Sequence, residues 1–113
     1  MELTSEQLDD ERRVIRLCGR MDIKGAGEID LKFNALAGAK KALVAVDLAQ
    51  VEFMASMGIR TLLMASKAQK SRGGKLVLAA PQETVEKALA ASGISKIIPT
   101  YPSLDEALAA LGD

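Results

Sequence analysis

The run Ala42-Leu-Val-Ala-Val-Asp-Leu48 constrains the fold of this chain more than any other segment. Leu43, Val44, Ala45 and Val46 are consecutive and apolar, so a strand made from them has no face to offer water. Strands of that kind lie inside largely parallel sheets that are covered on both sides. A parallel neighbour needs a crossover connection, usually a helix.

The flanking sequence supplies such crossovers. A helix is expected from about 25 to 37, with Ile29, Phe33 and Leu36 on one face and Gly38 as its stop. A second is expected from about 57 to 71, ending at Gly73-Gly74. Its Ile59, Leu62, Leu63 and Ser66 point to the core, and Arg60, Lys67 and Lys70 to solvent. Lys75 to Ala79 is a short apolar strand. Pro81 suits the first turn of a third helix, striped by Val85, Ala88 and Leu89 and closed by Ser92-Gly93. Ile97-Ile98 is a short strand ended by Pro99. Ser103 and Glu106 form an S-x-x-E capping box, each side chain covering the other's backbone donor, ahead of Leu104, Ala107, Leu108 and Leu111.

At the other end, residues 2–8 and Arg12 to Leu17 form an edge hairpin about Asp9-Asp-Glu11, and Gly19 to Asp22 turns the chain. The expected fold is α/β: a single domain over 1–113, with a mixed sheet of about five strands, the first pair a hairpin, and about four helices packed mainly on one face.

Composition excludes several functions. With 113 residues and 49% hydrophobic content, the chain can build a core without staples. Lys+Arg and Asp+Glu number 15 each, so nothing draws the chain to nucleic acid or an anionic membrane at long range. Phe33, Phe53 and Tyr101 are too few to stack bases. There is no histidine, the commonest general base and metal ligand. Cys18 stands alone, which removes disulfides and zinc clusters. In the apolar strand Val14-Ile-Arg-Leu-Cys18 it is read as a buried structural thiol.

Asp22 and Asp47 offer two carboxylates for magnesium but are read instead as turn residues, together with Gly19. Asp22 turns or caps before the first helix, and Asp47 ends its strand. Gly25-Ala-Gly27 lacks the third glycine of a dinucleotide site and the Gly-Lys-Ser/Thr of a P-loop. No catalytic residue, metal or cofactor is expected, and an enzyme ranks last. No apolar run is as long as a membrane span, and Met1 to Gln7 has neither the basic start nor the apolar core of a secretion signal. A cytoplasmic protein without direct nucleic-acid contact or membrane insertion is expected.

The chemistry concentrates in Val51-Glu-Phe-Met-Ala-Ser-Met-Gly-Ile59. Ser56 stands where a helix opens beyond a strand's carboxyl end, so backbone N–H groups converge on it. It can cap the helix, bind an anion or accept a phosphoryl group. Gly58 leaves the hydroxyl approachable, or is simply tolerated early in a helix. Met54, Met57 and Met64 offer a soft apolar patch or fill the core. Arg60 reaches toward an acidic partner or is merely solvated. A partner contact at this place would use Met54, Ala55, Ser56, Met57, Gly58, Arg60 and Met64.

These pieces, in order, resemble the STAS family, named for sulphate transporters and anti-sigma-factor antagonists. The matching stretches are Leu17-Cys-Gly-Arg-Met-Asp22, Val44-Ala-Val-Asp-Leu48, Val51 to Ile59, Gly73-Gly-Lys-Leu-Val-Leu78, Ser92-Gly-Ile94 and Tyr101-Pro-Ser-Leu-Asp-Glu-Ala-Leu108. The resemblance is to stand-alone bacterial antagonists rather than transporter tails. In that family the segment reads Phe-x-Asp-Ser-Ser/Thr-Gly, and its first serine, here Ser56, is phosphorylated. The resemblance implies a partner-switching cycle. The free form binds an anti-sigma factor that is itself a serine kinase, phosphorylation breaks the complex, and a phosphatase acting on phospho-Ser56 restores it. This chain departs from the pattern with Ala55 for the aspartate and Met57 for the second hydroxyl. Those apolar changes keep open an unphosphorylated scaffold, or a regulatory subunit of a lipid or anion transporter or signalling assembly.

Overall fold

A computed structural model describes residues 1–112. Its elements run β1 (Glu2–Gln7), β2 (Arg12–Met21), α1 (Ile23–Ala37), β3 (Leu43–Met54), α2 (Ser56–Arg72), β4 (Lys75–Ala79), α3 (Glu83–Ser92), β5 (Thr100–Tyr101) and α4 (Leu104–Leu111). One five-stranded sheet holds the strands in chain order, β1-β2-β3-β4-β5. β1 and β2 pair antiparallel, with Leu3 opposite Leu17, and every later pair is parallel. The mixed sheet and its leading hairpin follow the sequence pattern.

Alternation sorts the strand residues to two sides. Ile15 and Leu17 of β2, Val44, Val46 and Leu48 of β3, and Leu76 and Leu78 of β4 share one core. Ile29 and Phe33 of α1, Leu62 and Ala65 of α2, and Val85 and Leu89 of α3 complete it. Phe33 is fully buried there, which alone contributes roughly 2–3 kcal/mol. On the opposite side Ala45, Val77 and Ala79 pack under Ala107 and Leu111 of α4. That single helix on the far face is why Leu43 to Val46 has no polar side to show. Ser103 caps α4, its Oγ accepting the Glu106 N–H at 3.2 Å. The return arm of the capping box, from the Glu106 side chain, does not form among the described residues.

Pro81 lies just before the Gln82 cap of α3 and not in its first turn, and the strands differ from the sequence reading at four places. β2 runs on to Met21, so Gly19 lies inside a strand and not in a turn. It sits at φ 118° beside a register shift between Gly19 and Arg20, a bulge that only glycine enters without strain. Asp47 likewise lies within β3, which continues to Met54. Its carboxylate accepts the Ala49 N–H at 3.0 Å and stands 3.9 Å from Arg16 Nε. Cys18 is exposed, because Ile15 and Leu17 take the core side and leave Arg16 and Cys18 on the other. Finally, Ile97-Ile98 is not a strand. A short 3₁₀ turn, Ile94–Lys96, precedes it, Ile98 is buried, and the fifth strand begins only after Pro99.

Two polar side chains fix connections. Gln69, fully buried on α2, donates from Nε2 to the carbonyls of Ala37 (2.6 Å) and Lys40 (2.7 Å), and its Oε1 accepts the Ala42 N–H (2.9 Å). It thereby holds the link from α1 into β3. At the hairpin, Asp9 accepts the backbone N–H groups of Glu11 (3.0 Å) and Arg12 (2.7 Å) and pairs with Arg12 Nε at 2.7 Å.

The Arg12 N–H, then its guanidinium, then the Glu11 N–H hold the Asp9 carboxyl down to about 2 from an ordinary 3.8. Between those values the unfolded chain binds more protons than the folded one. The hairpin's contribution is therefore complete above the ordinary value and is lost as pH falls toward about 2. Urea midpoints measured across that window should fall less steeply with acid in Asp9→Asn than in the parent. Equal slopes would show that the turn adds no pH dependence.

Candidate functional site

The site forms where β3 hands over to α2, beside the junction of β2 and α1. The Ala55 N–H donates to the Met21 carbonyl at 2.9 Å, pinning the end of β3 to the end of β2. Ala55, extended at φ −95° and ψ 175°, occupies the cap position of α2 and has no side chain with which to cap it. Its carbonyl accepts the N–H groups of Gly58 (3.0 Å) and Ile59 (3.1 Å). Ser56 is consequently the first residue of the helix and not its cap. It is exposed, and its hydroxyl makes no hydrogen bond among the described residues.

Electrostatics at this end favour an anion. The first turn of α2 has no acidic residue, whereas α3 and α4 both do. The free N–H groups and partial positive charge of the helix start are thus uncompensated at Ser56. Arg60, one turn along, is exposed. Nearby, the Arg20 guanidinium lies 4.5 Å above the Phe53 ring and 3.8 Å from the Asp22 carboxylate. Asp22 itself caps α1, accepting the Gly25 N–H at 2.7 Å.

Four of the residues expected at the partner contact reach the surface: Ser56, Met57, Arg60 and Met64, with Met57 43% and Met64 55% exposed. Ala55 is half-buried. Met54 is a correction: it is 4% exposed and belongs to the core, because the final residue of β3 points inward. Gly58 is also buried. A Cβ there would lie 2.7 Å from Met21 Cγ and 3.1 Å from the Met21 carbonyl oxygen, so the glycine lets α2 press onto β2. Gly58→Ala should cost about 1–3 kcal/mol of stability, as overpacking does, with the partner surface unchanged. A urea midpoint equal to the parent's would mean that Met21 yields freely.

Sequence reasoning missed Arg20 and Phe53 at the rim, although the alternation of Val51-Glu-Phe-Met54 marks Phe53 as a strand residue. It also missed Leu31, 86% exposed on α1 across from Met64. No group of three or more acidic, cysteine or histidine side chains able to hold a metal exists among the described residues. No described helix is long and apolar enough to cross a membrane.

Several known proteins with this architecture carry the name anti-sigma factor antagonist. BtrV of Bordetella bronchiseptica, a candidate anti-sigma factor antagonist by name, is 26% identical over 110 residues, spanning 97% of this chain and 94% of that protein. An anti-sigma factor antagonist from Mycobacterium paratuberculosis superposes with a TM-score of 0.88 at 25% identity, over 99% of this chain and 94% of the other. The unphosphorylated form of SpoIIAA, an anti-sigma factor antagonist of Bacillus, superposes at 0.78 with 23% identity, over 99% and 98% of the two chains. The family model of the STAS domain matches residues 3–107, from β1 into α4, and the chain belongs to the STAS domain family.

Proposed function

We propose that this chain is an anti-sigma-factor antagonist. It binds a kinase-type anti-sigma factor through the surface around the start of α2, and phosphorylation at Ser56 turns that binding off. The accessible, uncommitted Ser56 hydroxyl at the helix start is the single observation that supports the reading most. A kinase can reach it, and the hydroxyl gives up no bond in the fold when modified. A phosphate there gains the free N–H groups of the helix start and lies within one turn of Arg60.

Energetics make the modification decisive without any change of shape. A phosphate adds about −1.5 to −2 charges at pH 7. Burying that charge under a partner without a basic receptor costs several kcal/mol. Each 1.4 kcal/mol is about tenfold in affinity, so a micromolar complex is lost. A phosphatase acting on phospho-Ser56 would restore binding. Ala55 and Met57 remove polarity on both sides of the serine in the chain.

Incubation with the cognate serine kinase and ATP, followed by phosphosite mapping, tests the reading. Stoichiometric phosphate on Ser56 supports it. A kinase that forms a complex with the chain and leaves Ser56 unmodified would reject the switch and favour a constitutive scaffold.

A further inference from the structure

We infer that the groove between α1 and α2 seats an amphipathic helix of the anti-sigma partner, an inference that rests on the partner-binding reading above. Two adjoining hollows, of about 270 and 490 Å³, run between the helices and share Met64 and Asn34. The first opens beside Met57 and Arg60, next to Ser56; the second continues along Leu31, Ala35 and Ala68. Leu31 is 86% exposed, Met64 55% and Met57 43%, an apolar ridge joined through Met64 that no other described residue covers. Ridges of this kind on a small domain mark contact surfaces.

Area argues that the groove belongs to the same interface as Ser56. A specific complex buries about 800 Å² on each partner. Ser56, Met57 and Arg60 cannot supply that, and the apolar surface continuous with them runs along the groove. The occupant is a helix because both walls are helices and offer no free strand edge to extend. The groove's buried floor is small, with Gly38 and Ala65, so bulky side chains fit between the Leu31 and Met64 rims.

Charge sets the occupant's polarity. The hollow nearest Ser56 has Asp30 on one wall and Arg60 on the other, and neither makes an ion pair among the described residues. The second hollow has no charged side chain. The partner helix is accordingly apolar along its length and brings a base to Asp30 and an acid to Arg60 at the Ser56 end. A phosphate on Ser56 would compete with that acid for Arg60 and repel it.

The test is a calorimetric titration of the full chain with the serine kinase of the proposed cycle, alongside sedimentation of the chain alone. Leu31→Glu and Met64→Glu should each weaken binding about thirtyfold, as expected for a hot-spot side chain, with an unchanged melting temperature. Met64→Leu should bind like the parent. Loss in both glutamate variants supports the groove even if Ser56→Asp binds normally, which would sink only the switch. Parent-like binding by both, while Ser56→Asp fails, overturns the groove and leaves the switch standing. A parent chain that sediments as a dimer and dissociates on Leu31→Glu overturns the proposal in favour of a second copy. Absence of any complex overturns it as well. Hydrogen exchange on the complex must protect a helical segment of the kinase, and protection confined to a strand or loop would also overturn it.

Discussion

Replacing Ser56 by aspartate is expected to weaken binding to the anti-sigma partner by about a hundredfold or more, and to leave the fold intact. The carboxylate stands in for part of the phosphate's charge, and its desolvation at a contact costs a few kcal/mol, each 1.4 of which is about tenfold. Stability should move the other way. The first turn of α2 contains no acid, so a carboxylate at its first residue meets the positive end of the helix and gains a few tenths of a kcal/mol. Opposite signs in the two measurements would separate a switch from a damaged protein. Ser56→Ala should bind within about twofold of the parent, since the hydroxyl makes no hydrogen bond among the described residues. Calorimetry in which all three proteins bind alike would reject the role given to Ser56.

The largest effect on stability is expected at a residue far from the contact surface. Gln69→Leu keeps much of the side-chain volume and strands the carbonyls of Ala37 and Lys40 and the N–H of Ala42, all held by Gln69. A buried group left without its partner costs about 1–3 kcal/mol, so the substitution should remove roughly 3–5 kcal/mol. For a domain of this size that is a fall of about 10–20 °C in melting temperature. Partner binding at a temperature where the variant is folded should be unchanged. A fall of less than a few degrees would mean that water replaces the amide at the α1–β3 link.

Local signals predicted the framework well. The doubly apolar run at Leu43 to Val46 implied cover on both faces, and α4 supplies the second cover. Gly73 and Gly93, both left-handed, end helices where they were expected to. Features that depended on pairing were harder to read. Gly19 looked like a turn because glycine usually marks one, yet here it absorbs a bulge that keeps Arg20 and Met21 paired to Phe53 and Met54. Cys18 followed from strict alternation, which places Arg16 and Cys18 together on the open side, and was misread on hydrophobicity alone. Ile97 and Ile98 are adjacent and β-branched, but one is 60% exposed and the other buried in a turn leading to Pro99.

At the site, the position of Ser56 was legible to within one residue, and the capping question was decided by tertiary contact. The bond from Ala55 N–H to the Met21 carbonyl fixes Ala55 as the last extended residue, so the helix begins at Ser56. Met54 could not be distinguished from Met57 and Met64 by type, since all three are methionines within one short stretch. Only the pleat of β3 and the face of α2 separate the buried one from the exposed pair. The role of Gln69 had no local signature, because its partners lie 27 to 32 residues earlier in the chain.

The order of the strands across the sheet is also the order in which a ribosome makes them. Each newly synthesised strand meets a neighbour that is already in place, and no earlier segment has to be parted to admit it. Assembly can therefore proceed as simple accretion from the amino-terminal hairpin, with one helical crossover to close at each later step. The last helix then seals the side of the sheet that growth had left bare.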